Sequence, residues 1–109
     1  MIYTKHDLDN IKDAILAEVT PNRIILFGSY ASGNQNYSSD IDIMILMNEE
    51  ISRTEKLNLL YRIERKLLYL KYPIDLVLKS ITQFNEYKNY IGTINYDASK
   101  YGKILWTKN

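Results

Sequence analysis

The chain has no cysteine, one histidine and one tryptophan among its 109 residues. Without cysteine there is no disulfide framework, and no thiolate can hold a metal. An excess of either charge is also missing, with fourteen Lys and Arg against thirteen Asp and Glu. That balance leaves no basic footprint, so direct nucleic-acid binding is not expected. No apolar run approaches the length of a membrane span, and the opening Met1-Ile2-Tyr3-Thr4-Lys5-His6 lacks the apolar core of a signal peptide. The expectation is a cytoplasmic protein without membrane contact. Proline occurs only as Pro21 and Pro73, and each is read as a helix stop. Repeats, linkers and low-complexity tracts are absent too. The ten tyrosines are scattered among Lys and Asn and read mainly as compositional bias.

What is present is a globular composition, 46% hydrophobic and 25% charged, in a length that suits one domain over residues 1–109. Residues 7–19 put Leu8, Ile11, Ile15 and Val19 on one helical face, with Asp7 or Asp9 near the start. Arg23 to Phe27 is a short apolar run, read as a buried strand. A second strand is expected over 40–47, with Ile41, Ile43 and Ile45 turned to the core. The longest helix is expected from about Ser52 to Lys71, with Leu57, Leu60, Tyr61, Leu67 and Leu68 as its apolar stripe. Pro73 then precedes a strand over 74–78. Ser80 can cap a helix over about 81–91, and a final short helix is expected after Thr93. Ile104-Leu105-Trp106 adds an edge strand or packs over the core. His6 reads as a solvated helix-start residue, and Trp106 as a core plug. The pattern is α+β, a small mixed sheet with helices packed mainly on one face.

One stretch stands out. The first strand ends abruptly at Gly28-Ser29, ten residues follow, and the second strand opens Asp40-Ile41-Asp42. Gly28 permits an unusual backbone angle or a close approach by a ligand. Ser29 can cap a short turn over Tyr30-Ala31-Ser32, and a helix N-terminus of that kind suits phosphate. Side chains alternate along a strand, so Asp40 and Asp42 emerge on one face. Two carboxylates at the head of a strand that otherwise wants burial are costly unless paired, and a divalent cation is their simplest partner. The third strand carries one acid, Asp75, among Ile74, Leu76 and Val77. If that strand lies next to the second, three carboxylates converge on one sheet edge. An all-oxygen set suits magnesium. Each feature alone is ordinary: Gly-Ser is common turn chemistry, and Asp-x-Asp recurs by chance.

Taken together, GSYASGNQNYSSDIDI with Asp75 downstream resembles the signature of the minimal nucleotidyltransferases in the DNA polymerase β-like superfamily. The resemblance runs over nearly the whole chain, through a tail, Gly102-Lys103-Ile104-Leu105-Trp106, similar to that family's closing segment. It implies a single nucleotidyltransferase domain, with Gly28 and Ser29 contacting the nucleotide. Asp40, Asp42 and Asp75 would be both metal ligands and catalytic residues, for two Mg²⁺ ions. The implied reaction moves NMP, AMP from ATP above all, to a hydroxyl. Little chain remains to hold an acceptor, so a partner or second copy must supply that surface, which makes a homo- or hetero-oligomer. Minimal nucleotidyltransferases are commonly paired with a HEPN-domain protein, as antitoxins of toxin–antitoxin pairs. Relatives often carry Arg after the Gly-Ser, where this chain has Tyr30, Ala31 and Ser32. A cation for the triphosphate would then come from Arg23, a lysine or a partner. Two other readings share these residues, a non-catalytic subunit acting by contact and an aminoglycoside-type small-molecule transferase.

Overall fold

In the computed structural model, residues 3–28 and 41–108 are described. Helix α1 (Lys5–Leu16) leads into strand β1 (Arg23–Phe27), and strand β2 (Ile41–Met47) follows. Then come helix α2 (Arg53–Tyr69), strand β3 (Ile74–Ser80), helix α3 (Ile81–Tyr87), helix α4 (Ile94–Tyr101) and strand β4 (Lys103–Thr107). The four strands lie in the order β3-β2-β1-β4. The sheet is mixed, since β1 runs antiparallel to both β2 and β4 while β2 and β3 are parallel. Among the described residues no helix is long and apolar enough to cross a membrane.

Both faces of the central strands are buried, which is why they read as continuous apolar runs. On one face Ile24, Leu26, Ile41, Ile43 and Ile45 meet Ile11 and Ile15 of α1 and Leu59, Ile63 and Leu67 of α2. On the other, Ile25, Phe27, Met44 and Leu46 meet Phe84 of α3 and Ala98 of α4. The two long helices thus share one face, and two short ones cover the other. Full burial of each such aliphatic side chain contributes about 1.5–3 kcal/mol.

The helix starts are set by side-chain caps. Thr4 caps α1. Its hydroxyl accepts from the Asp7 N–H, while the Asp7 carboxylate accepts from the Thr4 N–H at 2.8 Å. Asp7 therefore occupies the third helical position, and the helix runs from 5 to 16 rather than 7 to 19. Val19 still packs on the core from beyond its end. Ser52, Ser80 and Thr93 cap α2, α3 and α4. Helix α3 stops at Tyr87, four residues short of the sequence expectation of 91.

The apolar stripe expected on α2 needs correction. Its buried residues are Leu59, Ile63 and Leu67, while Leu57, Tyr61 and Leu68 are 55%, 61% and 69% exposed. Leu67 and Leu60 of the expected stripe do pack on the core, but Leu59 and Ile63, not Leu57, Tyr61 and Leu68, complete the buried face. Among the basic residues, Arg62 and Lys66 reach Glu18 of α1 at 3.4 and 3.7 Å. The tail forms β4 on the edge beside β1, with Trp106 opposite Ile24 and half-buried against the core.

Candidate active site

One end of the sheet collects the residues singled out by the motif. Strand β1 arrives there with its last residue, Phe27, while β2 and β3 depart from there. Phe27 is paired with Asp42, and Asp42 is in turn paired with Asp75 on the parallel neighbour. Paired residues of adjacent strands project to the same face. The two acids therefore stand one strand spacing apart, about 4.8 Å between backbones. Asp42 is half-buried on a central strand, and Asp75 is exposed on the edge strand.

Gly28 follows directly at the end of β1, with φ of +75°, in the left-handed region that L side chains disfavour. A Cβ at this position would collide with Asp42 Oδ2 and lie 3.1 Å from its Cγ. The missing side chain is what lets the Asp42 carboxylate lie over the backbone of the turn. Ser29 and Asp40, the other two motif residues, fall outside the described residues, as does the turn expected over Tyr30-Ala31-Ser32.

Among the described residues no group of three His, Cys, Asp or Glu comes together to hold a metal. Two carboxylates stand at paired positions on adjacent strands, Asp42 and Asp75. Their all-oxygen donor set and the space left by Gly28 fit a hard cation such as Mg²⁺, which needs only one or two protein carboxylates beside water and phosphate.

Arg23 does not reach this end. It pairs with Leu46 and Thr107 at the opposite edge of the ladder, four residues from Phe27 and so about 13 Å away along the strand. Its Nε is buried without a hydrogen-bond partner. Lys103 is the basic residue that β4 brings to the site end, opposite Leu26 and exposed. Its pairing with Leu26 puts it on the sheet face of α1 and α2, opposite the face that carries Asp42 and Asp75.

Tyr72 is a residue passed over by sequence reasoning, counted among the scattered tyrosines. It is 8% exposed, three residues before Asp75, and lines with it a groove of about 250 Å³ that also takes in Glu64, Leu67, Leu68 and Ile74. Its hydroxyl donates to Asp7 Oδ1 at 2.9 Å and accepts from Asn10 Nδ2 at 3.2 Å. A larger cavity, of about 490 Å³, lies at the far end of β2 and β3 beside Met47, Arg53, Lys56 and Lys79, away from the paired acids.

Residues 9–109 match the family described as "Polymerase beta, Nucleotidyltransferase", and the chain belongs to that family. Over 53 residues it is 42% identical to a Methanocaldococcus jannaschii protein named "Putative protein adenylyltransferase MJ0141". That match covers 49% of this chain and 52% of the relative, so the chain spans about half the length of the curated relative it matches. Among solved structures, a toxin–antitoxin with AMP-PNP superposes with a TM-score of 0.64 at 23% identity, over 94% of this chain and 75% of that one. A tri-AMPylated Shewanella oneidensis HEPN toxin in complex with MNT antitoxin gives a TM-score of 0.56 at 20% identity, over 93% and 70%. At these identities the likeness is one of fold.

Proposed function

We propose that this chain is a Mg²⁺-dependent adenylyltransferase that moves AMP from ATP to a hydroxyl of a HEPN-domain protein, as the antitoxin of a toxin–antitoxin pair. The observation that carries the reading is the pairing of Asp42 with Asp75 beside Gly28 at one sheet end. Membership of the nucleotidyltransferase family supports the reaction class. The adenylyltransferase name of the curated relative supports AMP as the group transferred. The toxin–antitoxin complexes with the same fold support the HEPN partner.

In this reading Gly28 and Ser29 receive the triphosphate through backbone N–H groups and the Ser29 hydroxyl. Asp40, Asp42 and Asp75 would hold Mg²⁺, which would supply charge neutralisation for the reacting phosphate. The acceptor oxygen attacks the α-phosphorus, a new P–O bond forms, and the bond to pyrophosphate breaks. Asp75, exposed on the edge strand, is the acid assigned to take the acceptor's proton.

The test is to incubate the purified protein with ATP, Mg²⁺ and a candidate HEPN-domain protein, and to weigh that protein. A gain of one or more AMP masses, lost in Asp42→Asn, supports the proposal. Partner neutralised without any mass change, in wild type and Asp42→Asn alike, would favour a subunit acting by contact.

A further inference from the structure

We infer that Tyr72 is a positioning residue for Asp75, acting through a hydroxyl anchored to the start of helix α1. The inference rests on the metal-site reading proposed above. Asp75 is the member of the acid pair with the least support of its own. It is exposed on an edge strand, and its alignment with Asp42 depends on where β3 begins. That beginning is delivered by a tight reversal after α2. Lys71 takes a φ of +65°, and the Tyr72 N–H donates to the Leu67 carbonyl at 2.9 Å.

The reversal is tied down from a distant part of the chain. The Tyr72 hydroxyl donates to Asp7 and accepts from Asn10, more than sixty residues away in sequence, as separations of 65 and 62. Its ring lies 5.7 Å from that of Tyr3, and the Tyr3 hydroxyl donates to the Pro73 carbonyl at 3.4 Å. Asp7 is itself fixed by the Thr4 N–H. Two buried aromatic rings and three hydrogen bonds to side chain and backbone thus clamp residues 72 and 73, directly before Ile74-Asp75. A clamp that served only to hold α1 to the body could fasten anywhere along its length. This one grips the two residues that set the register of the acid-bearing strand.

The experiment is a Mn²⁺ titration in the presence of AMP-PNP, with thermal melts of the metal-free proteins alongside. Tyr72→Phe keeps the ring and loses the hydroxyl. It is expected to weaken Mn²⁺ binding about tenfold, on the scale seen when outer supports of metal ligands are removed. Asp7→Asn should do the same, and the double variant should weaken binding no further than either alone. Thr4→Ala, which loosens the cap but leaves the Tyr72 bond, should lower the melting temperature and leave Mn²⁺ affinity unchanged. Asp75→Asn is the control for the site. If it weakens Mn²⁺ binding while Tyr72→Phe and Asp7→Asn bind as wild type does, the positioning role is overturned and the metal site stands. If Asp75→Asn itself binds Mn²⁺ as wild type does, the metal-site reading fails and the inference falls with it.

Discussion

Asp42 and Asp75 are register partners across the parallel β2–β3 ladder, although thirty-two residues separate them in sequence. On the other side of Asp42, the pairing with Phe27 sets its carboxylate over the Gly28 turn. The middle acid is thus held between a glycine and a second acid.

Replacing either acid by its amide should separate chemistry from folding. Asp75 is exposed, so Asp75→Asn should change stability by no more than about 0.5 kcal/mol. Adenylyl transfer should fall by about 100-fold or more in both Asp42→Asn and Asp75→Asn, the scale of losing one preorganised charge-stabilising group. Far-UV circular dichroism and a timed transfer assay on the same samples check both halves.

Gly28→Ala should damage both. The left-handed backbone there costs a non-glycine residue about 1–2 kcal/mol. The new methyl also displaces the Asp42 carboxylate. A lowered melting temperature with transfer lost is the expected outcome. A variant as stable and active as wild type would mean that the turn and Asp42 are not packed as described.

Helix α2 makes a contrast between neighbouring apolar residues. Ile63 is fully buried, so Ile63→Ala should cost about 2–5 kcal/mol. Leu68, 69% exposed, should tolerate alanine within about 0.5 kcal/mol. Denaturant midpoints of the two variants test the orientation of the helix directly.

Stability should also depend on pH through Asp7. Its carboxyl is held below the ordinary value of 3.8, first by the Thr4 backbone N–H and then by the Tyr72 hydroxyl. A folded-state value below the unfolded one means that the contribution is fully present above the unfolded value and lost as pH falls through the folded one. Wild type should therefore exceed Asp7→Asn in stability at neutral pH, and the gap should close below about pH 4. Chemical denaturation at stepped pH measures it. A gap that stays constant into strong acid contradicts the bond network drawn for Asp7.

Much of this layout is legible in the residues. The runs at Ile24–Phe27 and Ile43–Leu46 are unbroken because both sheet faces are covered, and Ser52, Ser80 and Thr93 announce the helices they cap. What escapes local reading depends on contacts between distant segments. On α2, Leu57, Tyr61 and Leu68 compete with Leu59, Ile63 and Leu67, and periodicity alone cannot choose which stripe meets α1. Arg23 looks close to the motif in sequence, yet the direction of β1 carries it to the wrong end. Tyr72 is indistinguishable from nine other tyrosines until its hydroxyl finds Asp7.

The measurement that tests the central claim most directly is titration of ATP into the protein with and without Mg²⁺, repeated with Asp42→Asn. The account predicts binding that requires Mg²⁺ and is lost in the variant. Binding of equal strength without the metal, or unchanged by Asp42→Asn, would contradict a metal–nucleotide site at the Asp42–Asp75 pair.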